Sequence, residues 1–250
     1  MFTSTGRSRL RESLIALARE DADVVGAALV GSAARGAEDD WSDIDLVLQL
    51  APAADEAAVV DRFTRWMDAE EGTVDTLDVR AGGVLYRVFL LASSLQVDIS
   101  FWPHDEFRAT TDEGFQLIFG SANPPTTPAD PDLDGTVGMG WLYALHARSA
   151  IARGKLWQAV EMLDDLRNQI FALACARHGL NAWHGREVDQ LPATELAQIS
   201  RTRAPEVTKE ALAASLRTSI DLFLDEIERS DPGRAERLRD PLRSLAASER

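Results

Sequence analysis

Between residues 7 and 20 the apolar positions Leu10, Leu14, Leu17 and Ala18 recur at helical spacing among Arg, Glu and Ser, which predicts an amphipathic helix. The pattern then changes. VVGAALVG (24–31) and IDLVLQL (44–50) are short runs of Val, Ile, Leu and Ala bounded by Gly, Ser and Asp, as buried strands are. DEAAVVDRFTRWMDAEE (55–71) returns to the helical period, and TVDTLDVR, VLYRVFLL and LQVDISFW read as three more strands, the last two joined by an Ala-Ser-Ser turn. This half is a sheet with helices against it. From about residue 120, GSANPPTTPADPDLDG loses all apolar periodicity around Pro124, Pro125, Pro128 and Pro131, which predicts a linker or an ordered crossing between domains. Beyond it nearly everything reads as helix. One candidate covers 137–153, a second 155–178 with Leu156, Val160, Leu163, Ile170 and Phe171 facing inward, and a third 206–229 along Leu212, Leu216, Ile220, Phe223 and Ile227. A shorter helix follows Asp-Pro-Gly-Arg near residue 231. The expectation is an α+β domain over residues 1–120, a Pro-rich connection over 121–134 and an α-helical bundle over 135–250, with a cleft where the domains meet.

Composition narrows the class. With 250 residues, 45% of them hydrophobic, the chain can bury a sizeable core. Cys175 is its single cysteine, so neither an intrachain disulfide nor a cysteine zinc cluster can form, which suits a reducing cytoplasm. The first twenty residues mix charge with Leu and Ile in place of an apolar signal region, and no segment approaches about 18 uninterrupted apolar residues. A soluble cytoplasmic protein with no membrane partner is expected. The net charge of −15 disfavours nucleic acid as a partner, since that affinity needs a basic stripe; it either attracts cationic small molecules or simply keeps the protein dissolved.

The candidate chemistry lies in GSAARGAEDDWSDID (31–45). Asp43 and Asp45 alternate with Ile44 and Leu46 at the expected start of a strand, so both carboxylates share one face, their Cα atoms about 6.6 Å apart. That spacing lets them converge on a pair of divalent ions about 3.5 to 4 Å apart. Asp98, in Val-Asp-Ile-Ser, repeats the pattern and brings a third carboxylate to the same edge if its strand neighbours the first. Magnesium held this way bridges carboxylates to substrate phosphates. Gly31-Ser32 supplies the other end: a strand runs into a turn and a short helix start, where backbone N–H groups, the Ser32 hydroxyl and Arg35 can hold the β- and γ-phosphates. Gly31 allows close backbone approach, and Ser32 can also serve as the helix N-cap.

Gly31-Ser32, ten intervening residues, Asp43-Ile44-Asp45 and a later Val97-Asp98-Ile99 resemble the signature of the DNA polymerase β-like nucleotidyltransferase superfamily, over roughly the first hundred residues. The resemblance implies a mixed sheet flanked by helices, an NTP donor, two magnesium ions, and transfer of a nucleoside monophosphate to a hydroxyl with release of pyrophosphate. It places Asp43 and Asp45 on both metals and the nucleotide, and Asp98 on the catalytic metal beside the attacking oxygen. In such chemistry the protein mostly positions groups and neutralises charge.

A transferase domain followed by a helical bundle at this length is similar to the aminoglycoside and lincosamide nucleotidyltransferases. That likeness implies a cationic, hydroxylated acceptor, ATP as donor, bundle residues that supply a base and contacts to the triphosphate, and a homodimer. HARSAIARGKLWQAVEMLDDLRNQI (146–170) is where those residues belong: Lys155 to reach a phosphate, with Trp157, Glu161, Asp164 or Asp165, and Asn168 on the face opposite the apolar stripe. Lys155 and Glu161 are equally at home as solvated surface charges, and the base is either Asp98 or Glu161. Trp41 stacks on a base or plugs the domain junction. His104, His146, His178 and His184 lack metal-ligand spacing. Two other classes share the motif, an antitoxin-type enzyme that adenylylates a protein partner and a nucleotide-binding regulator without turnover. RNA-tailing polymerases also share it but would need a basic, aromatic-interleaved patch.

Overall fold

A computed structural model of the protein describes residues 1–109, 114–126 and 129–247. Thr127 and Pro128 of the predicted connection lie outside the described residues. The fold is α+β, and the chain forms two compact units, Met1–Ala129 and Asp130–Arg250.

In the first unit, helix α1 (Ser4–Glu20) leads into β1 (Val24–Val30), a four-residue helix α2 (Gly31–Ala34), β2 (Ile44–Leu50) and α3 (Glu56–Glu70). Strands β3 (Thr73–Ala81), β4 (Val84–Leu91), β5 (Gln96–Trp102) and β6 (Phe115–Phe119) complete it. The Thr3 and Asp55 side chains accept backbone N–H groups at the starts of α1 and α3, which fixes where both helices begin. The six strands form one mixed sheet in the order β3-β4-β5-β2-β1-β6, in which β2 and β5 run parallel and the other pairs antiparallel. One sheet face packs Ile44, Leu46, Leu48, Val97, Ile99 and Phe101 against Leu10 and Leu14 of α1 and Val59, Phe63 and Met67 of α3. The other face carries a smaller cluster of Ala28, Val47 and Phe107.

Strand β6 is absent from the sequence pattern. Its five residues are all partly or largely exposed, so no buried run marks them, and pairing with β1 is what makes them a strand. The start of the connection is ordered against this unit. The Asn123 side chain donates to the carbonyls of His104 (2.9 Å) and Phe107 (3.1 Å). On the helical side the Arg62 guanidinium of α3 donates to both oxygens of Asp21 at 2.7 Å and to Asp23 at 2.8 Å, tying α3 to the turn that enters β1.

The second unit holds α4 (Leu133–Ala152), α5 (Leu156–His178), α6 (Ala193–Ser200), α7 (Lys209–Ser230) and α8 (Pro232–Ala247) around one apolar cluster. Helix α4 begins four residues before its predicted start because Asp132 caps it, accepting the Gly135 N–H at 2.8 Å. Helix α5 stops at Gly179, in the left-handed region at φ 68°. Helix α8, expected only as a short helix, runs sixteen residues, and α6, too short to show a periodic stripe, has no counterpart in the sequence pattern. Gly140 lets the Phe223 ring of α7 lie directly on the α4 backbone, where a Cβ would overlap it. Among the described residues no helix is long and apolar enough to cross a membrane.

Candidate active site

The chain leaves β1 through Gly31 at φ +66°, and the Asp45 carboxylate occupies the space that a Cβ at residue 31 would need. Only glycine satisfies both demands. The turn after β1 and the second residue of β2 are thereby packed together, which accounts for the pairing of Gly31 with Asp45 across a dozen residues. Ser32 lies inside α2 and is not its N-cap: Val30 holds that position, and no side chain caps the helix. The glycine carries the bend, so the chain enters α2 without a capping side chain. Arg35 is the exposed C-cap of the same short helix.

The segment from Gly36 to Asp43 is irregular yet tightly held. Asp39 accepts the Trp41 N–H at 2.9 Å and the Ser42 hydroxyl at 3.0 Å, and these bonds hold its carboxyl below the ordinary carboxylate range. From α1, buried Arg7 donates to the carbonyls of Asp39 (2.6 Å) and Ser42 (2.9 Å), while Arg11 pairs with Glu38 at 2.6 Å. This fixed loop presents Trp41 with 82% of its surface exposed. Asp43 is the last loop residue, one position ahead of β2, which begins at Ile44 where the pattern places it and where pairing with β5 starts.

The parallel pairing of β2 and β5 sets Asp45 directly opposite Asp98. Neighbouring strands are about 4.8 Å apart, so their side chains emerge as close neighbours on one sheet face. Asp98 is pushed up to about 6, by burial first and then by the negative charge of Asp43. The Tyr86 hydroxyl of β4 is pushed up in turn by burial and by Asp98. Three carboxylates thus gather at one end of β2 and β5 beside the Gly31-Ser32 turn.

Among the described residues no three His, Cys, Asp or Glu side chains close into a preformed metal cage. The set fits magnesium nonetheless. Magnesium is commonly held by one or two carboxylates plus water and substrate phosphates, and a divalent cation would offset the negative charge of Asp43 that, after burial, pushes Asp98 up.

Lys155, Trp157 and Glu161 belong to the second unit. Lys155 occupies the N-cap position of α5 without capping it, Trp157 is 72% exposed, and Glu161 is exposed one turn further on. All three lie on the side of α5 away from Ala159, Leu163, Leu166 and Ile170, which are buried. Asp164, another candidate on this face, is engaged by buried Arg167, which also donates to Thr202. His104 meets Asp105 at 2.9 Å and His178 meets Glu195 at 3.2 Å, both exposed pairs.

The sequence pattern passed over Arg7 and Tyr86. For Arg7 a signal exists, since it falls in helical register with Leu10, Leu14 and Ala18 and is the one charge on that buried stripe. Tyr86 is placed beside Asp98 only by strand pairing, which no local pattern encodes.

No protein-family description matches the chain, and no curated protein matches it. Among solved structures it is similar to an aminoglycoside 6-adenyltransferase from Bacillus subtilis, at 11% identity and a TM-score of 0.42, over 94% of this chain and 96% of that one.

Proposed function

We propose that this protein is a magnesium-dependent nucleotidyltransferase that moves a nucleoside monophosphate, AMP from ATP, onto a hydroxyl of a cationic small molecule of aminoglycoside or lincosamide type. The observation that carries the reading is the register of β2 on β5, which sets Asp45 against Asp98 while Asp45 packs on the Gly31 turn. Acidic groups and a close-approach turn stand together where a metal-bound triphosphate would need both.

Asp43, Asp45 and Asp98 would hold the magnesium ions, which supply charge neutralisation on the phosphate oxygens when bound. The Gly31-Ser32 backbone N–H groups, the Ser32 hydroxyl and Arg35 hold the outer phosphates, and Lys155 is the further cation that the resemblance to the antibiotic nucleotidyltransferases assigns to them. An acceptor hydroxyl oxygen attacks the α-phosphorus, the bond to the bridging oxygen breaks, and pyrophosphate leaves. The hydroxyl proton passes to Asp98 or to Glu161. A polyhydroxylated cation suits the chain's charge of −15.

The test is pyrophosphate release by purified protein supplied with magnesium and ATP, GTP, CTP or UTP, against a panel of aminoglycosides and lincosamides, with mass spectrometry of the products. An acceptor heavier by one nucleotide establishes donor, reaction and substrate class together. Binding of the magnesium nucleotide with no small molecule modified would replace this reading by transfer to a protein partner, and absence of nucleotide binding would remove it altogether.

A further inference from the structure

The sheet face that bears Asp98 continues outward over β4 and β3, and what stands there is not polar. Asp98 lies opposite Val88 on β4, which lies opposite Leu77 on the edge strand β3. One pair along, Ser100, Tyr86 and Val79 form a second row on the same face. Side chains on one face follow each other at about 4.8 Å per strand, so the rows reach about 10 Å beyond Asp98. Leu77 is 61% exposed and Val79 45%. The charged side chains of these strands point the other way: Arg87 pairs with Asp78 and donates to Thr64 of α3, and Arg80 pairs with Glu56 at the start of α3.

An edge strand of nine residues with large apolar side chains in water is a liability that folds ordinarily blunt with charge. Here the charges sit on the helix-covered face and the apolar side chains on the one that runs into the carboxylates. One charge does share that face. Asp75, at the far corner in the row of Gln96 and Leu90, accepts its neighbour Thr76's N–H at 2.9 Å.

We propose that Leu77, Val79, Tyr86 and Val88 form the acceptor platform, with Asp75 as its cation anchor. The inference rests on the nucleotidyl-transfer reading and specifies its acceptor. The occupant is a cyclic polyol whose C–H face lies on the ledge and the Tyr86 ring, with its reacting hydroxyl at Asp98 and an ammonium group about 12 Å away at Asp75. Continuity with the carboxylates favours the acceptor over any other occupant, because whatever covers the ledge stands next to Asp98. Charge favours an amine-bearing one, since Asp75 is the charged group at the ledge's open end. A ring with polar groups on both faces would leave them unpaired against Leu77 and Val79 and is disfavoured.

The test uses the full-length protein, with kanamycin A and lincomycin as probes and Leu77→Gln, Val79→Gln and Asp75→Asn as variants, the glutamines removing the apolar surface without adding charge. Binding of each probe is followed by saturation-transfer NMR and calorimetry, and magnesium-ATP binding is measured in parallel. The expected result is at least tenfold weaker binding of a probe to either glutamine variant, with magnesium-ATP affinity within twofold of wild type. Asp75→Asn should weaken kanamycin A severalfold while leaving its fully N-acetylated form unaffected. Wild-type probe affinity in both glutamine variants would overturn the platform, as would failure of both probes to bind wild-type protein that still binds magnesium-ATP. Failure of the wild type to bind magnesium-ATP would instead overturn the transfer reading and the platform with it.

Discussion

Three residues carry most of the candidate site, and each has its own failure mode. Asp45→Asn keeps the shape beside Gly31 but loses the charge, so the variant should fold as the wild type and show no nucleotidyl transfer; retained turnover in purified protein would remove Asp45 from the metal site. Gly31→Ala adds a Cβ where the Asp45 carboxylate lies and forces a left-handed backbone that costs about 1 to 2 kcal/mol for a residue with a side chain. A lower melting temperature together with loss of magnesium-ATP affinity is expected, against wild-type affinity if the turn does not meet phosphate. Asp98 is pushed up to about 6, above its unfolded value, so the folded protein binds its proton more tightly than the unfolded chain does. The associated stability is fully present below about pH 4 and is lost as the pH rises through 6. In the absence of divalent ions, Asp98→Asn should therefore match wild-type stability near pH 4. Above pH 6 it should exceed the wild type by about 1 to 2 kcal/mol, once solvent screening of a partly exposed carboxyl is allowed for. Urea melts of both proteins across that range measure the difference, and parallel curves at every pH would contradict it.

Among the elements, the loop that delivers Asp43 depends on α1 more than on the strands it joins. Arg7 reaches from the buried side of α1 to two carbonyls of that loop, and hydrogen bonds from a charged donor contribute about 1.5 to 3 kcal/mol each. Arg7→Met fills similar volume without the bonds. It should destabilise the protein by about 2 to 3 kcal/mol and weaken magnesium-ATP binding severalfold, because Asp43 ends the loop it frees. Calorimetry of nucleotide binding separates this positioning role from mere stability, which would leave the affinity unchanged at temperatures where the variant is folded. The strands were legible because their apolar runs are short and bounded by turn residues. β6 and α6 were not: a five-residue edge strand and an eight-residue helix show too few periods for a pattern to emerge.

Across the chain, the nucleotide chemistry is read mainly from the first unit, and Lys155 tests whether the second contributes. Lys155→Ala should raise the dissociation constant of magnesium-ATP severalfold while leaving acceptor affinity within twofold. Equal effects on both ligands would take Lys155 out of the phosphate site, and no effect would make it an ordinary solvated lysine.

The amino-acid pattern by itself determined the sheet-then-helices order, the positions of five helices and five strands within a few residues, and the Gly31, Asp43, Asp45 and Asp98 grouping as candidate chemistry. These are local properties: hydrophobic period, turn chemistry and the spacing of acidic residues along one strand. Strand order and register belong to the fold, since hydrogen bonds between strands far apart in sequence leave no local trace. Parallel pairing of β2 with β5 is what puts Asp98 beside Asp45, and the next pairings put Tyr86, Leu77 and Val79 beyond it. The overlap of a Cβ at residue 31 with Asp45, and the reach of Arg7 under the loop, likewise exist only once α1, β1 and β2 are packed.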